Sequence, residues 1–129
     1  MKIEHVAVWT PDLERLRYFY ERYFAASAGE KYMNVKKGFQ SYFLNFDDGA
    51  RLEIMQMPGI QGSPNSADVQ CMGLIHLAIS VGSVENVDLL TERLRTDNYN
   101  VVGNPRWTGD GYYESVVLDP DGNRIEITI

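Results

Sequence analysis

The chain is predicted to be an α+β protein built from two tandem βαβββ modules, and three observations predict it. Its two histidines occupy matching places in β-like runs, Ile3-Glu4-His5-Val6-Ala7-Val8 and Leu74-Ile75-His76-Leu77-Ala78-Ile79. A stretch of helical periodicity follows each run. Each half then closes on one pattern, Asp48-Gly49-Ala50-Arg51-Leu52-Glu53-Ile54 and Asp121-Gly122-Asn123-Arg124-Ile125-Glu126-Ile127. The intervals agree closely, with 48 positions from His5 to Glu53 and 50 from His76 to Glu126.

Residues 2–9 alternate and read as the first strand. Thr10-Pro11-Asp12 then supplies a helix start: Thr10 as cap, Pro11 in the first turn, Asp12 against the helix dipole. Leu13, Leu16, Tyr20, Tyr23 and Phe24 recur at helical spacing and give one buried face, ending about Phe24. A short strand is expected near Tyr32–Val35. Gln40–Asn45 and Arg51–Met55 flank Asp47-Asp48-Gly49, a hairpin turn signal. Met57–Gly73 lacks periodicity and carries Pro58, Gly59, Gly62, Ser63, Pro64, Asn65 and Ser66, so it reads as a linker or as a lid over a site. Leu74–Val81 is the next strand, and Ser83 caps a helix carrying Val87, Leu90 and Leu94. Val101–Val102 opens another strand, and Tyr113–Leu118 and Arg124–Thr128 form a hairpin about Asp119-Pro120-Asp121-Gly122. The expected organisation is a single domain over 1–129, with module one at about 1–57, the linker or lid at 58–72 and module two at 73–129. One helix cannot cover both faces of a four-stranded sheet, so two such modules must pair within a chain, between chains, or both.

Composition narrows the partners. A net charge of −6 argues against nucleic acid, whose phosphates reward basic patches. No apolar run approaches the roughly 18–20 residues that cross a bilayer, and no signal peptide is read at the N-terminus. The single cysteine, Cys71, has no intrachain partner, which suits a reducing compartment. The expectation is a cytoplasmic protein acting on a small molecule.

Strand alternation places the chemistry. Leu52 and Ile54 point one way, Arg51, Glu53 and Met55 the other, and Glu126 alternates with Ile125 and Ile127 in the same manner. The aliphatic side packs on the helix. Each glutamate then projects from the opposite face, where burial is costly unless the carboxylate is paired or binds metal. Taken singly, a His or Glu is more often a solvated or hydrogen-bonded residue, and Glu4 and Glu114 are read that way. The recurrence of His5 with Glu53 and of His76 with Glu126 is what points to a metal. Two imidazoles and two carboxylates suit Zn²⁺, Ni²⁺, Co²⁺, Mn²⁺ or Fe²⁺ better than Ca²⁺.

These motifs, together with Leu118-Asp119-Pro120-Asp121-Gly122-Asn123-Arg124-Ile125-Glu126, resemble the vicinal oxygen chelate superfamily across essentially the whole chain. That superfamily includes glyoxalase I, epimerases, dioxygenases, and fosfomycin- and bleomycin-resistance proteins. The resemblance implies cup-shaped mixed sheets in a glyoxalase-like fold and a homodimer whose sites combine modules of two chains. It implies one divalent ion per site (Ni, Co or Zn) on His5, Glu53, His76 and Glu126. A His-Glu-His-Glu set is most similar to glyoxalase I, a lyase that turns the hemithioacetal of methylglyoxal and a thiol into a 2-hydroxyacyl thioester. In that mechanism the ion polarises vicinal oxygens. Glu126 is the expected principal base, with Glu53 acting on the other face.

Glutathione-using bacterial glyoxalases tend to have arginine and asparagine where this chain has Trp9 and Met57, so the thiol is open. Trp9, Met57, Arg106 and Trp107 are the expected substrate contacts, with Lys37 and Arg51 as further candidates. The alternatives are another metal-dependent member, an epimerase or dioxygenase, and a non-catalytic binder of small aromatic ligands of the bleomycin-resistance type.

Overall fold

The computed structural model describes residues 1–129, which divide into two compact units, Met1–Gly62 and Ser63–Ile129. The second part of the expected linker, from Ser63 on, belongs with unit 2.

Unit 1 contains β1 (His5–Trp9), α1 (Leu13–Phe24), β2 (Ser27–Ala28), β3 (Tyr32–Asn34), β4 (Phe39–Asn45) and β5 (Arg51–Gln56). Its sheet runs β1-β5-β4-β2, with β3 also paired to β4. β1 lies parallel to β5, while β4 and β5 form the expected antiparallel hairpin. Gly49 closes that turn at φ 87°, a left-handed conformation that favours a residue lacking Cβ. The helix start differs in detail from the expectation. Asp12, not Thr10, is the N-cap, and its side chain accepts from the Arg15 N–H at 3.1 Å. The Thr10 hydroxyl instead accepts from the Asp12 N–H, which steadies the cap one step back. The first strand also begins later than expected, at His5, and the two-residue β2 carried no periodic signal.

The α1 face formed by Leu13, Leu16, Phe19, Tyr20, Tyr23 and Phe24 is buried, and the helix packs on β4 and β5, whose Leu44, Leu52 and Ile54 are no more than 2% exposed. Each fully buried aliphatic or aromatic side chain contributes about 1.5–3 kcal/mol. That burial sets the register of β5, because Leu52 and Ile54 must face the helix.

Unit 2 contains β6 (His76–Ser80), α2 (Val84–Thr96), β7 (Val101–Trp107), β8 (Tyr113–Leu118) and β9 (Arg124–Thr128). Its sheet, β6-β9-β8-β7, again sets the first strand parallel to the last. Ser83 caps α2 as expected, accepting from the Asn86 N–H at 3.2 Å. Thr91 joins Val87 and Leu94 in the buried face, while Leu90 is half-buried. The Thr91 hydroxyl reaches both Val87 O and Ser115 Oγ at 2.6 Å, so a polar residue fills a core position without an unmet hydrogen bond. β7 bulges twice against β8, between Val101 and Gly103 and between Gly103 and Arg106.

The β8–β9 turn is organised by buried Asp119. One carboxylate oxygen accepts from the Asp121 and Asn123 N–H groups, and the other accepts from the Asn123 side chain. Between β5 and β6 there is neither helix nor strand. Within unit 2 that segment is fastened: the Arg124 guanidinium donates to Ser66 O at 3.1 Å and Ala67 O at 2.7 Å. No helix is long and apolar enough to cross a membrane.

Candidate metal centre

In unit 1 the parallel register sets His5 beside Arg51 and Ala7 beside Glu53. His5, Ala7 and Trp9 share the face of Arg51, Glu53 and Met55, opposite the helix. His5 and Glu53 are therefore diagonal neighbours over the methyl of Ala7, and His5 Nε2 stands 3.9 Å from Glu53 Oε2. The other ring nitrogen, Nδ1, donates to Glu4 Oε2 at 2.5 Å, and Glu4 is also held by Arg51. The His5 hydrogen bond, with Arg51 assisting, holds the Glu4 carboxyl below its ordinary value of 4.5. In a neutral ring this fixes the proton on Nδ1 and leaves the Nε2 lone pair toward Glu53. Phe43 stands perpendicular to His5 with centroids 5.3 Å apart and is capped by Arg51 at 4.1 Å, so Glu4 and Phe43 orient the imidazole from two sides.

Unit 2 repeats the arrangement in the same register, with His76 beside Arg124 and Ala78 beside Glu126. His76 Nδ1 lies 3.3 Å from Glu126 Oε1. A cavity of about 600 Å³ opens over this face, and it is lined by Gln70, His76, Arg106, Glu114, Arg124 and Glu126 among others. Arg106 pairs with Glu114 at 3.3 Å.

The donor chemistry of each pair fits a divalent ion. Two ligands of one ion, each about 2.0–2.2 Å from it, stand roughly 3–3.5 Å apart. The His76–Glu126 separation meets this, and the His5–Glu53 separation is a small side-chain adjustment away. Neither glutamate is neutralised by an arginine or lysine, although the glutamate side chains of Glu53 and Glu126 are only 16% and 21% exposed. Each unit supplies two donors, and no group of three or more His, Cys, Asp or Glu side chains is arranged to hold a metal ion.

The other expected site residues divide. Arg106 lines the unit 2 cavity, but Trp107 does not. Its ring packs on Tyr113, centroids 5.2 Å apart, and the Tyr113 hydroxyl donates to Asp88 of α2, so Trp107 sits toward the helix side. Trp9 lies on the His5 face, and Met57 follows β5 half-buried. Arg51 contacts Glu4 and Phe43, while Lys37 sits exposed in the β3–β4 turn and Cys71 is exposed. Glu114, Arg124 and Gln70 line the cavity although the sequence reading gave them no site role. A signal existed for Arg124, since it occupies the place of Arg51 in the repeated closing pattern. Nothing local marked Glu114 or Gln70, which reach the cavity only through the β7–β8 pairing and the fold of residues 63–72.

These features define a two-unit α+β protein with a His–Glu pair on the open face of each sheet. The chain belongs to the Glyoxalase/Bleomycin resistance protein/Dioxygenase superfamily, whose family model matches residues 2–127. Among curated proteins a sequence search finds no match. Solved structures with a similar fold include glyoxalase I from Zea mays, 19% identical with a TM-score of 0.77, covering 98% of this chain and 44% of that one. The chain thus spans less than half the length of the maize protein. The trypanothione-dependent glyoxalase I of Leishmania major is 21% identical with a TM-score of 0.75, covering 99% of this chain and 86% of that one. A glyoxalase family protein from Enterococcus faecalis is 22% identical with a TM-score of 0.79, covering 99% and 97%. At these identities the likeness concerns the fold.

Proposed function

We propose that this protein is a metal-dependent lyase of the glyoxalase I type. Its substrate is the hemithioacetal of a 2-oxoaldehyde such as methylglyoxal, its product is the 2-hydroxyacyl thioester, and its thiol is not restricted to glutathione. The observation that carries the reading is the same His–Glu pair in the same strand register in both units. A divalent ion (Ni, Co or Zn) on His5, Glu53, His76 and Glu126 would supply Lewis acidity toward the vicinal oxygens of the substrate.

The chain's own part is proton transfer. Glu126 takes the hydrogen from the carbon that carries hydroxyl and sulfur, and a proton returns to the neighbouring carbonyl carbon. The hydroxyl proton passes to the other oxygen, so no electrons are gained or lost overall. Glu126 suits this role because its one polar side-chain partner is His76, leaving carboxylate lone pairs available. Glu53 acts likewise on the other face. The unit 2 cavity supports a small-molecule substrate. Because each unit carries two donors, we assign the complete four-donor set to a homodimer in which unit 1 of one chain faces unit 2 of its partner. A reducing cytoplasm suits the exposed Cys71.

The test is metal content by plasma mass spectrometry, followed by hemithioacetal isomerisation with several thiols. About one transition metal per chain in the wild type, lost in His76→Ala, is the expected result. Glu126→Gln is expected to fold normally and to turn over at least about a hundredfold more slowly when loaded with metal. A wild type that stays empty after incubation with nickel, cobalt and zinc overturns the lyase reading in favour of a ligand-binding module.

A further inference from the structure

The face of unit 1 that carries His5 and Glu53 does not end with them. Along β1 the same face continues through Ala7 to Trp9, whose ring meets Phe39 with centroids 6.1 Å apart at 89°. Phe39 in turn meets Tyr32, centroids 6.0 Å apart. Met55, the register partner of Trp9, completes a floor without a charged side chain. Trp9 is 39% and Tyr32 57% exposed, so both rings present surface rather than serve as core. Phe43 differs, since Arg51 covers its face and the His5 ring stands perpendicular to it. Along β1 the residue between His5 and Trp9 on this face is Ala7, the register partner of Glu53. Two strand residues span about 7 Å, the reach of a phenyl group attached directly to a reacting carbon.

On the metalloenzyme reading above, we propose that this shelf of Trp9, Phe39 and Tyr32 receives an aromatic substituent of the substrate. Among the hemithioacetals proposed above, an aryl-substituted one is then preferred over one bearing a bare methyl, and the shelf is not where a peptide arm of the thiol lies. A peptide arm needs hydrogen-bond donors and acceptors, and these three aromatic side chains with Met55 offer a mainly apolar floor. A flat ring gains by stacking or edge contact on exposed tryptophan and tyrosine without leaving a polar group unmet.

The experiment is calorimetric titration of the nickel-loaded chain with mandelate and with lactate, which share the 2-hydroxycarboxylate and differ as phenyl against methyl. Mandelate is expected to bind about tenfold more tightly. Trp9→Ala is expected to erase that preference while keeping its nickel. Trp107→Phe should retain the preference and leave Trp9 as the one tryptophan, its emission quenched as mandelate binds. Equal affinities in the wild type, or a preference that survives Trp9→Ala, overturn the proposal. Failure of the metal reading shows separately, as absence of nickel. In that case the Trp107→Phe protein is titrated with 1-naphthol: quenching supports the shelf on its own, and no quenching overturns it.

Discussion

At His5 the ring is fastened from behind. Nδ1 donates to Glu4, Glu4 is held by Arg51, and Nε2 is left toward Glu53. His76 has no such carboxylate behind it, since Nδ1 is the nitrogen that faces Glu126. Carboxylates that orient a ligand histidine typically matter tenfold to a hundredfold in metal affinity. Glu4→Ala is therefore expected to weaken metal binding by roughly tenfold or more with an unchanged circular dichroism spectrum, measured by competition with a chelator. Unchanged affinity would make Glu4 a surface residue after all. Asp119 offers a second residue-scale prediction. Burial pushes its carboxyl above the ordinary 3.8, although the bonds from Asn123 and Asp121 pull the other way. The folded state thus favours the protonated form. Stability from this group is present below 3.8 and is lost as pH rises through the higher folded value. Asp119→Asn cannot ionise, so its melting temperature relative to wild type is expected to rise as pH is raised from about 4 toward neutrality. A difference that stays flat or falls over that range would contradict the assignment.

Among the elements, β7 shows how a local irregularity positions a side chain. An edge strand tolerates Pro105, and the bulges on either side of Gly103 turn the strand so that Arg106 reaches Glu114 and the cavity. At Gly103 a Cβ would stand 3.2 Å from Val116 Cβ and 3.3 Å from its Cγ2, and a β-branched side chain cannot easily yield. Gly103→Ala is expected to cost about 1–3 kcal/mol in urea unfolding, with loss of the Arg106–Glu114 pairing. The bulge was not legible in the sequence, where Val101-Val102 showed only that a strand begins. Elements whose identity depends on their own residues were legible: α1 from its apolar spacing, α2 from Ser83, and both last hairpins from their Asp-Gly turns. Asp12 displaced Thr10 as the cap because two capping residue types two positions apart compete, and chain geometry chooses between them.

For the whole molecule, the proposed function turns on how two-donor halves would combine into a four-donor site. If the sites form across a homodimer, His5→Ala and His76→Ala damage opposite halves. A mixed dimer then carries one site with both lesions and one intact site. Neither variant alone is expected to be active, whereas a refolded equal mixture should regain about a quarter of wild-type activity. No recovery, with mixed dimers verified by mass spectrometry, would place each site within one chain.

The sequence by itself determined the α+β class, the internal repeat, and the side of each strand on which His5, Glu53, His76 and Glu126 project. It did so because strand alternation and helix periodicity are local, and the aliphatic residues between them tolerate one orientation only. Tertiary structure alone decided the parallel register that sets each histidine diagonal to its glutamate over an alanine. It also decided the tie of Glu4 to His5, the turning of Trp107 away from the cavity, and the arrival of Glu114, Arg124 and Gln70 around Glu126. These depend on which strands become neighbours, a choice made by packing the helices on the sheets, and no spacing along the chain encodes it.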